Sequence, residues 1–232
     1  MNKKAKWKLS FHVFLVTYVD KWLSMRTIET LDELLALPGK NIAFFGGSFD
    51  PPHFGHLDFI KKAISIKDLD YVIVCPHSLN PNKNVEQIQH RLRMMDLLFE
   101  TAHSKKIVIL SPEVCHGIQN PIFIDDIFYL LKRKKKEVFV LIGCDSLEHC
   151  AQLFKSVDVT FIIGCRINRS EAEKQLVSKN LNCLFIDDII PCSSSKLKEN
   201  RETRNSYLSQ QVKEYIEDHQ LYWSNPHCQN WN

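Results

Sequence analysis

The chain has 232 residues, of which 44% are hydrophobic and 25% charged, with a formal net charge of +3. That balance excludes a disordered chain and allows one good-sized domain with a full core. The charge is too small to argue for a nucleic-acid partner, though it suits polyphosphate substrates.

In chain order, Lys3, Lys4, Lys6 and Lys8 precede the apolar run Phe11 to Val19, the order of a signal peptide. His12 interrupts that run, Asp20 and Lys21 follow it closely, and no small-residue cleavage site appears. It is also too short to span a bilayer. Residues 1–40 therefore read as an N-terminal extension, helical in part, that packs on the domain or a partner, with Met25 as a candidate alternative start. The domain proper is expected over 41–223, and 224–232 form a tail.

The first strand, 41–46, runs into Gly46-Gly47-Ser48-Phe49-Asp50-Pro51-Pro52-His53-Phe54-Gly55-His56. Glycines without side chains let backbone N–H groups approach an anion, and the positive end of a following helix points at the same spot. Asp50-Pro51-Pro52 reads as a turn that fixes how the chain enters the helix. His53 and His56 then share one helix face, with Gly55 keeping it open. Two imidazoles one turn apart can donate to phosphate oxygens. They could also bind a metal, but a third ligand and the usual intervening Glu are not evident.

Further strands are expected near 70–75, 106–110, 137–142, 158–163 and 183–186. Helical patterns fall at about 55–66, 85–102, 121–134, 145–155, 170–179, 194–201 and 208–219. This alternation predicts an α/β fold with a doubly wound parallel sheet and C-terminal helices. The basic block Lys132 to Lys136 sits where a helix ends before a strand and reads as a solvated helix terminus. Gly143-Cys144-Asp145 ends the strand at 137–142; Asp145 can cap the next helix, accept a ribose hydroxyl or hold a water on Mg²⁺. Ser193-Ser194-Ser195 precedes a helix carrying Lys196 and Lys198, which reads as a cap or as a triphosphate site. The cysteines (75, 115, 144, 150, 165, 183, 192 and 228) include no Cys-x-x-Cys pair. They read as buried free thiols in a reducing cytoplasm.

GGSFDPPHFGH resembles the (H/T)xGH signature of the nucleotidyltransferase superfamily, in the form found in bacterial nicotinate mononucleotide adenylyltransferases. Pro76 and Lys83, His90 to Met94, Gly143 to Leu147, and Cys192 to Lys198 resemble further segments of that family in the same order, over roughly 41–223. The resemblance implies a Rossmann-like sheet of strand order 3-2-1-4-5. It also implies transfer of AMP from ATP to nicotinate mononucleotide, giving nicotinate adenine dinucleotide and pyrophosphate in NAD biosynthesis. Mg²⁺ would be bound through substrate phosphates with no dedicated protein site.

By the same resemblance, His53 and His56 are the catalytic pair, and Gly46, Gly47, Ser48 and Phe49 cradle phosphate. Gly143, Asp145, Ser194, Ser195 and Lys198 bind ATP, while Asp50, Lys83, Arg91, Phe123 and Phe154 lie toward the acceptor. The family's Ser-Tyr-Thr and Pro-Thr-Trp-Tyr segments correspond here to Ile122-Phe123-Ile124 and Ala151 to Phe154, and Lys198 replaces an Arg. Acceptors such as nicotinamide mononucleotide or phosphopantetheine, cytidylyl transfer, and a nucleotide-sensing module without turnover stay open as alternatives. The expected setting is a cytoplasmic protein with small-molecule partners, no nucleic acid and no membrane, and room for a homo-oligomer.

Overall fold

The computed structural model describes residues 26–76, 85–118, 121–144, 159–165 and 182–222. Its centre is a parallel sheet of β1 (Thr27–Ile28), β2 (Asn41–Gly47), β3 (Tyr71–Pro76), β4 (Ile107–Leu110), β5 (Glu137–Gly143), β6 (Thr160–Gly164) and β7 (Cys183–Ile186). The strand order is β1-β4-β3-β2-β5-β6-β7, and every neighbouring pair is parallel. Counted from the strand at residue 41, the expected 3-2-1-4-5 order is the observed β4-β3-β2-β5-β6 stretch.

The sheet begins before residue 41. Thr27 and Ile28 pair with Ile109 and Leu110, and helix α1 (Leu31–Leu35) follows, capped by the Thr30 side chain. Ile28, Leu34 and Leu37 from this stretch are buried. A strand this short has no periodicity to read, so only its neighbour reveals it.

Strand alternation splits the core into two layers. Ala43 and Phe45, with Val72, Val74, Leu141 and Ile162, face helices α2 (Phe54–Lys67), α3 (Ile88–Glu100) and α8 (Gln210–Asp218). Ile42 and Phe44, with Ile73, Val108, Val140 and Phe161, face α1, α4 (Pro112–Ile118) and α5 (Pro121–Arg133). Covering both faces makes continuous apolar strands such as Ile42 to Phe45 favourable. Two short helices, α6 (Ser194–Glu199) and α7 (Arg201–Tyr207), lead into α8. Asn200 separates them, because its side chain accepts the Thr203 N–H and caps the second. The helices expected at 145–155 and 170–179 lie outside the described residues. No helix among the described residues is long and apolar enough to cross a membrane.

Two expectations are corrected. Lys136 is not part of a solvated helix end: it is buried, and its Nζ donates to the carbonyls of Leu37 (2.6 Å) and Gly39 (2.9 Å). Burial, reinforced by Lys134, pulls its pKa down. Nor are the cysteines all thiols, since Cys144 and Cys165 form a disulfide with their Cα atoms 5.4 Å apart. Gly143 pairs with Gly164 across β5 and β6, which sets the next residues side by side despite a sequence separation of 21. Cys75 and Cys115 do remain buried thiols, and Cys150 and Cys228 lie outside the described residues.

Asp96 on α3 is half-buried, and burial, reinforced by Glu100 and opposed by Arg93, lifts its carboxyl to about 6. A folded pKa above the unfolded one means the charged group opposes folding above pH 6, and this penalty fades as the fold takes up a proton toward pH 4. Asp96→Asn should therefore raise stability at pH 7 by about 1 kcal/mol, a few degrees in Tm. That gain should shrink at pH 4.5. Thermal melts at the two pH values check this, and an equal or larger gain in acid would contradict it.

Candidate active site at the carboxyl end of the sheet

β2 lies between β3 and β5, so the chain leaves its two sides in opposite directions. A crevice opens where the order reverses. Gly46 and Gly47 end β2 at that point, paired with Cys75 and Pro76. Gly46 is exposed while Phe45 before it is buried, so the last turn of the strand presents main chain to solvent. A Cβ on Gly47 would come within 3.1 Å of the Phe49 ring, so the bare Cα lets that ring lie close over the strand end.

Phe49 has φ of 48°, a left-handed conformation costly for a bulky residue. It is held there by packing, edge-on to Phe45 with ring centroids at 5.4 Å and to His56 at 4.9 Å. Such strain persists only where the surroundings over-determine it.

His53 is the N-cap of α2, and its backbone N–H donates to His56 Nδ1 at 3.2 Å. That bond assigns the proton of a neutral His56 to Nε2, leaving Nε2–H as the donor. The two rings stack with centroids 3.7 Å apart and planes 22° from parallel. The spacing of three thus joins them as the sequence implied. Their exposure differs, however: His56 is half-buried and His53 is closed off. The His53 ring lies against Gly55, where a Cβ would stand 3.0 Å from it and from the Ile190 carbonyl. Gly55 keeps room for an imidazole and a loop rather than for an open face.

The C-terminal helices close the other side. The Ser194 hydroxyl donates to the Pro51 carbonyl at 2.9 Å, and the Ser193 side chain caps α6 by accepting the Lys196 N–H. Ser195 is exposed and Lys198 half-buried. The Lys198 ammonium pairs with Asp50 Oδ2, while Asp50 Oδ1 accepts from the Tyr222 hydroxyl at 2.6 Å and the Glu86 N–H at 3.3 Å. Burial, with the Asp50 charge beside it, pushes the Tyr222 phenol far above its usual range.

Two residues expected toward the acceptor lie inside the protein. Asp50 is only 1% exposed and its carboxylate is engaged by protein donors. Arg91 is fully buried. Its Nη1 donates to the Ser48 carbonyl at 2.6 Å and its Nε to the Glu86 carbonyl at 2.8 Å. Burial lowers its pKa, and nearby Asp50 opposes that shift. A guanidinium spent on main-chain carbonyls frames the loop and offers no surface to a ligand. The physical reason is position: α3 packs directly beneath the motif loop.

Gly143 ends β5. Asp145, Lys83 and Phe154 lie outside the described residues, as does the Phe123 side chain. Tyr222 escaped sequence reading because nothing in Gln220-Leu221-Tyr222 marks it, and its partner is 172 residues away. Gathered at one edge are exposed main chain, an imidazole N–H, an exposed serine at a helix start and an ammonium. These are donors and positive charge, suited to an anion.

The cytidylyltransferase-like family model matches residues 44–200. A Nitratiruptor protein named "Probable nicotinate-nucleotide adenylyltransferase" is 39% identical over 108 residues, 46% of this chain and 60% of that protein. One of the same name from Sulfurimonas denitrificans is 31% identical over 192 residues, 81% of this chain and 97% of that protein. Among solved structures, the Plasmodium falciparum nicotinic acid mononucleotide adenylyltransferase complexed with NaAD superposes with a TM-score of 0.57 at 19% identity. It covers 79% of this chain and 98% of that one.

Replacing Arg91 tests the assignment to the loop frame. Arg91→Met keeps much of the volume but leaves two part-buried carbonyls without their donor, at a cost of about 2–3 kcal/mol. Denaturant unfolding should show the midpoint fall with an unchanged slope. An unaltered midpoint would return Arg91 to the ligand side.

Proposed function

The chain belongs to the cytidylyltransferase-like superfamily and, within it, to the nicotinate-nucleotide adenylyltransferases, and from that premise we propose that it joins ATP and nicotinate mononucleotide into nicotinate adenine dinucleotide. An oxygen of the mononucleotide 5′-phosphate attacks the α-phosphorus of ATP. A new P–O bond forms, the bond from that phosphorus to the β-bridging oxygen breaks, and pyrophosphate carries the electron pair away. The nucleophile is already anionic, so the protein needs no covalent intermediate. Alignment of the two phosphates and neutralisation of charge in the transition state supply the rate.

The observation that carries this reading is the meeting of His56, the β2 glycine end and the Ser194–Lys198 segment at the reversal of strand order. His56 Nε2–H donates to a phosphate oxygen of ATP, and His53 stacks beneath it and fixes its orientation through the backbone N–H. The Gly46 to Phe49 main chain cradles phosphate. Ser195 and Lys198 take the β- and γ-phosphates, with Ser194 tying their helix to the motif turn.

Mg²⁺ fits as a companion of the triphosphate, whose charge it neutralises. The described side chains of the cleft are donors, and Asp50 is occupied by Lys198 and Tyr222. Bound in this way, the ion would be held through the phosphates that the protein binds. A reaction fed by ATP belongs in the cytoplasm.

Purified protein with ATP and Mg²⁺ should release pyrophosphate with nicotinate mononucleotide in preference to nicotinamide mononucleotide or phosphopantetheine. His56→Ala should lower kcat by about 10²- to 10³-fold, the typical loss for one preorganised donor, while the protein stays folded. Release with another acceptor only would move the chain to a sister activity. No release with any acceptor would refute the enzyme reading.

A further inference from the structure

Tyr222 lies beyond the last described helix, far from the signature motif in sequence, yet its hydroxyl reaches Asp50 Oδ1. Like Phe49, it adopts a left-handed backbone, with φ of 63°. Its ring centroid lies 5.4 Å from Lys198 Nζ and 5.8 Å from Arg204 Cζ. Arg204 in turn donates to the carbonyls of Leu197 (2.5 Å) and Lys198 (2.8 Å), the closing turn of α6. Tyr222 thus touches Lys198 by two routes, through the shared carboxylate and through the helix end that carries the lysine.

We propose that Tyr222 is a positioning residue for ATP: its hydroxyl holds the buried Asp50 carboxylate so that Lys198 can exchange that carboxylate for the triphosphate. This rests on the assignment of Lys198 to the β- and γ-phosphates made above. Asp50 and the phosphates compete for one half-buried ammonium. When Lys198 turns to a phosphate, Asp50 stays buried without its ammonium partner, a costly state unless its other donors remain. The Tyr222 O–H and the Glu86 N–H are donors that remain. Phenylalanine would fill the same space, and what the hydroxyl adds is directed at Asp50. Because burial and the Asp50 charge raise its pKa, the phenol keeps its proton and stays a donor throughout the neutral range.

The test is a double-mutant cycle on the full chain, with KM for ATP, KM for the acceptor and kcat measured for wild type, Tyr222→Phe, Lys198→Met and the pair. Tyr222→Phe should raise KM for ATP about tenfold, the scale of one hydrogen bond to a charged group, with acceptor KM and kcat changed far less. In the Lys198→Met background the same substitution should leave KM for ATP unchanged, because there is no ammonium to exchange. Equal effects in both backgrounds, or a loss spread evenly over kcat and both KM values, would mean that Tyr222 only supports the fold, and the proposal would fall alone. An unchanged KM for ATP in Lys198→Met would instead remove Lys198 from the triphosphate, and the proposal with it. Should Tyr222→Phe not fold, 3-fluorotyrosine placed at 222 supplies a stronger donor of nearly the same shape. It should lower KM for ATP, and a rise or no change would overturn the proposal.

Discussion

A carboxylate that is almost wholly buried cannot stand alone, and the Asp50 carboxylate organises this molecule around that requirement. Its donors come from three separate parts of the chain: Lys198 on α6, Tyr222 beyond α8, and the Glu86 N–H ahead of α3. Removing one partner of a buried charge is strongly destabilising. The loop that carries the signature motif is therefore in place only when the C-terminal helices are docked. Arg91, buried beside it, fixes the other flank through the Ser48 carbonyl. The loop between β2 and α2 is a fixture of the whole domain.

The sheet supplies the rest of the geometry. Parallel strands covered on both faces leave their carboxyl ends as the edge where loops are free to build a site, and the reversal at β2 keeps that edge open. The positive ends of α2 and α6, the exposed end of β2 and the Lys198 ammonium all come to the same edge, while the Asp50 carboxylate there is held by protein donors. An anionic substrate meets donors on each side. The reaction needs little more from the protein, because its nucleophile arrives charged and its leaving group is stabilised by the groups that bind it.

Much of this was legible in the chain because each signal is local. Ile42 to Phe45 reads as a doubly covered strand, the Gly and Pro positions mark the turn, and the spacing of His53 and His56 puts the two on one helix face whatever the sheet does. β1 was illegible, since two residues have no period, and so was α7, which exists because Asn200 both ends one helix and caps the next. The Cys144–Cys165 bond depends on a register between strands, and register is not written in spacing. Lys136 looked like one more solvated cation because the carbonyls it satisfies belong to the turn after α1.

The sequence by itself determined the parallel α/β architecture, the position of the Gly- and Pro-rich loop after β2 and the pairing of the histidines, because hydrophobic period and backbone-specific residues act over a few positions. The tertiary structure alone decided which polar residues face the ligand and which frame the site. Asp50 and Arg91 carry charges that sequence reading turns toward substrate, yet both are buried and spent on the protein. Tyr222 carries no such mark, yet it completes the carboxylate's shell. Whether a charged side chain meets solvent or a partner depends on what the fold packs against it, and for these residues most of those partners lie tens to more than a hundred residues away.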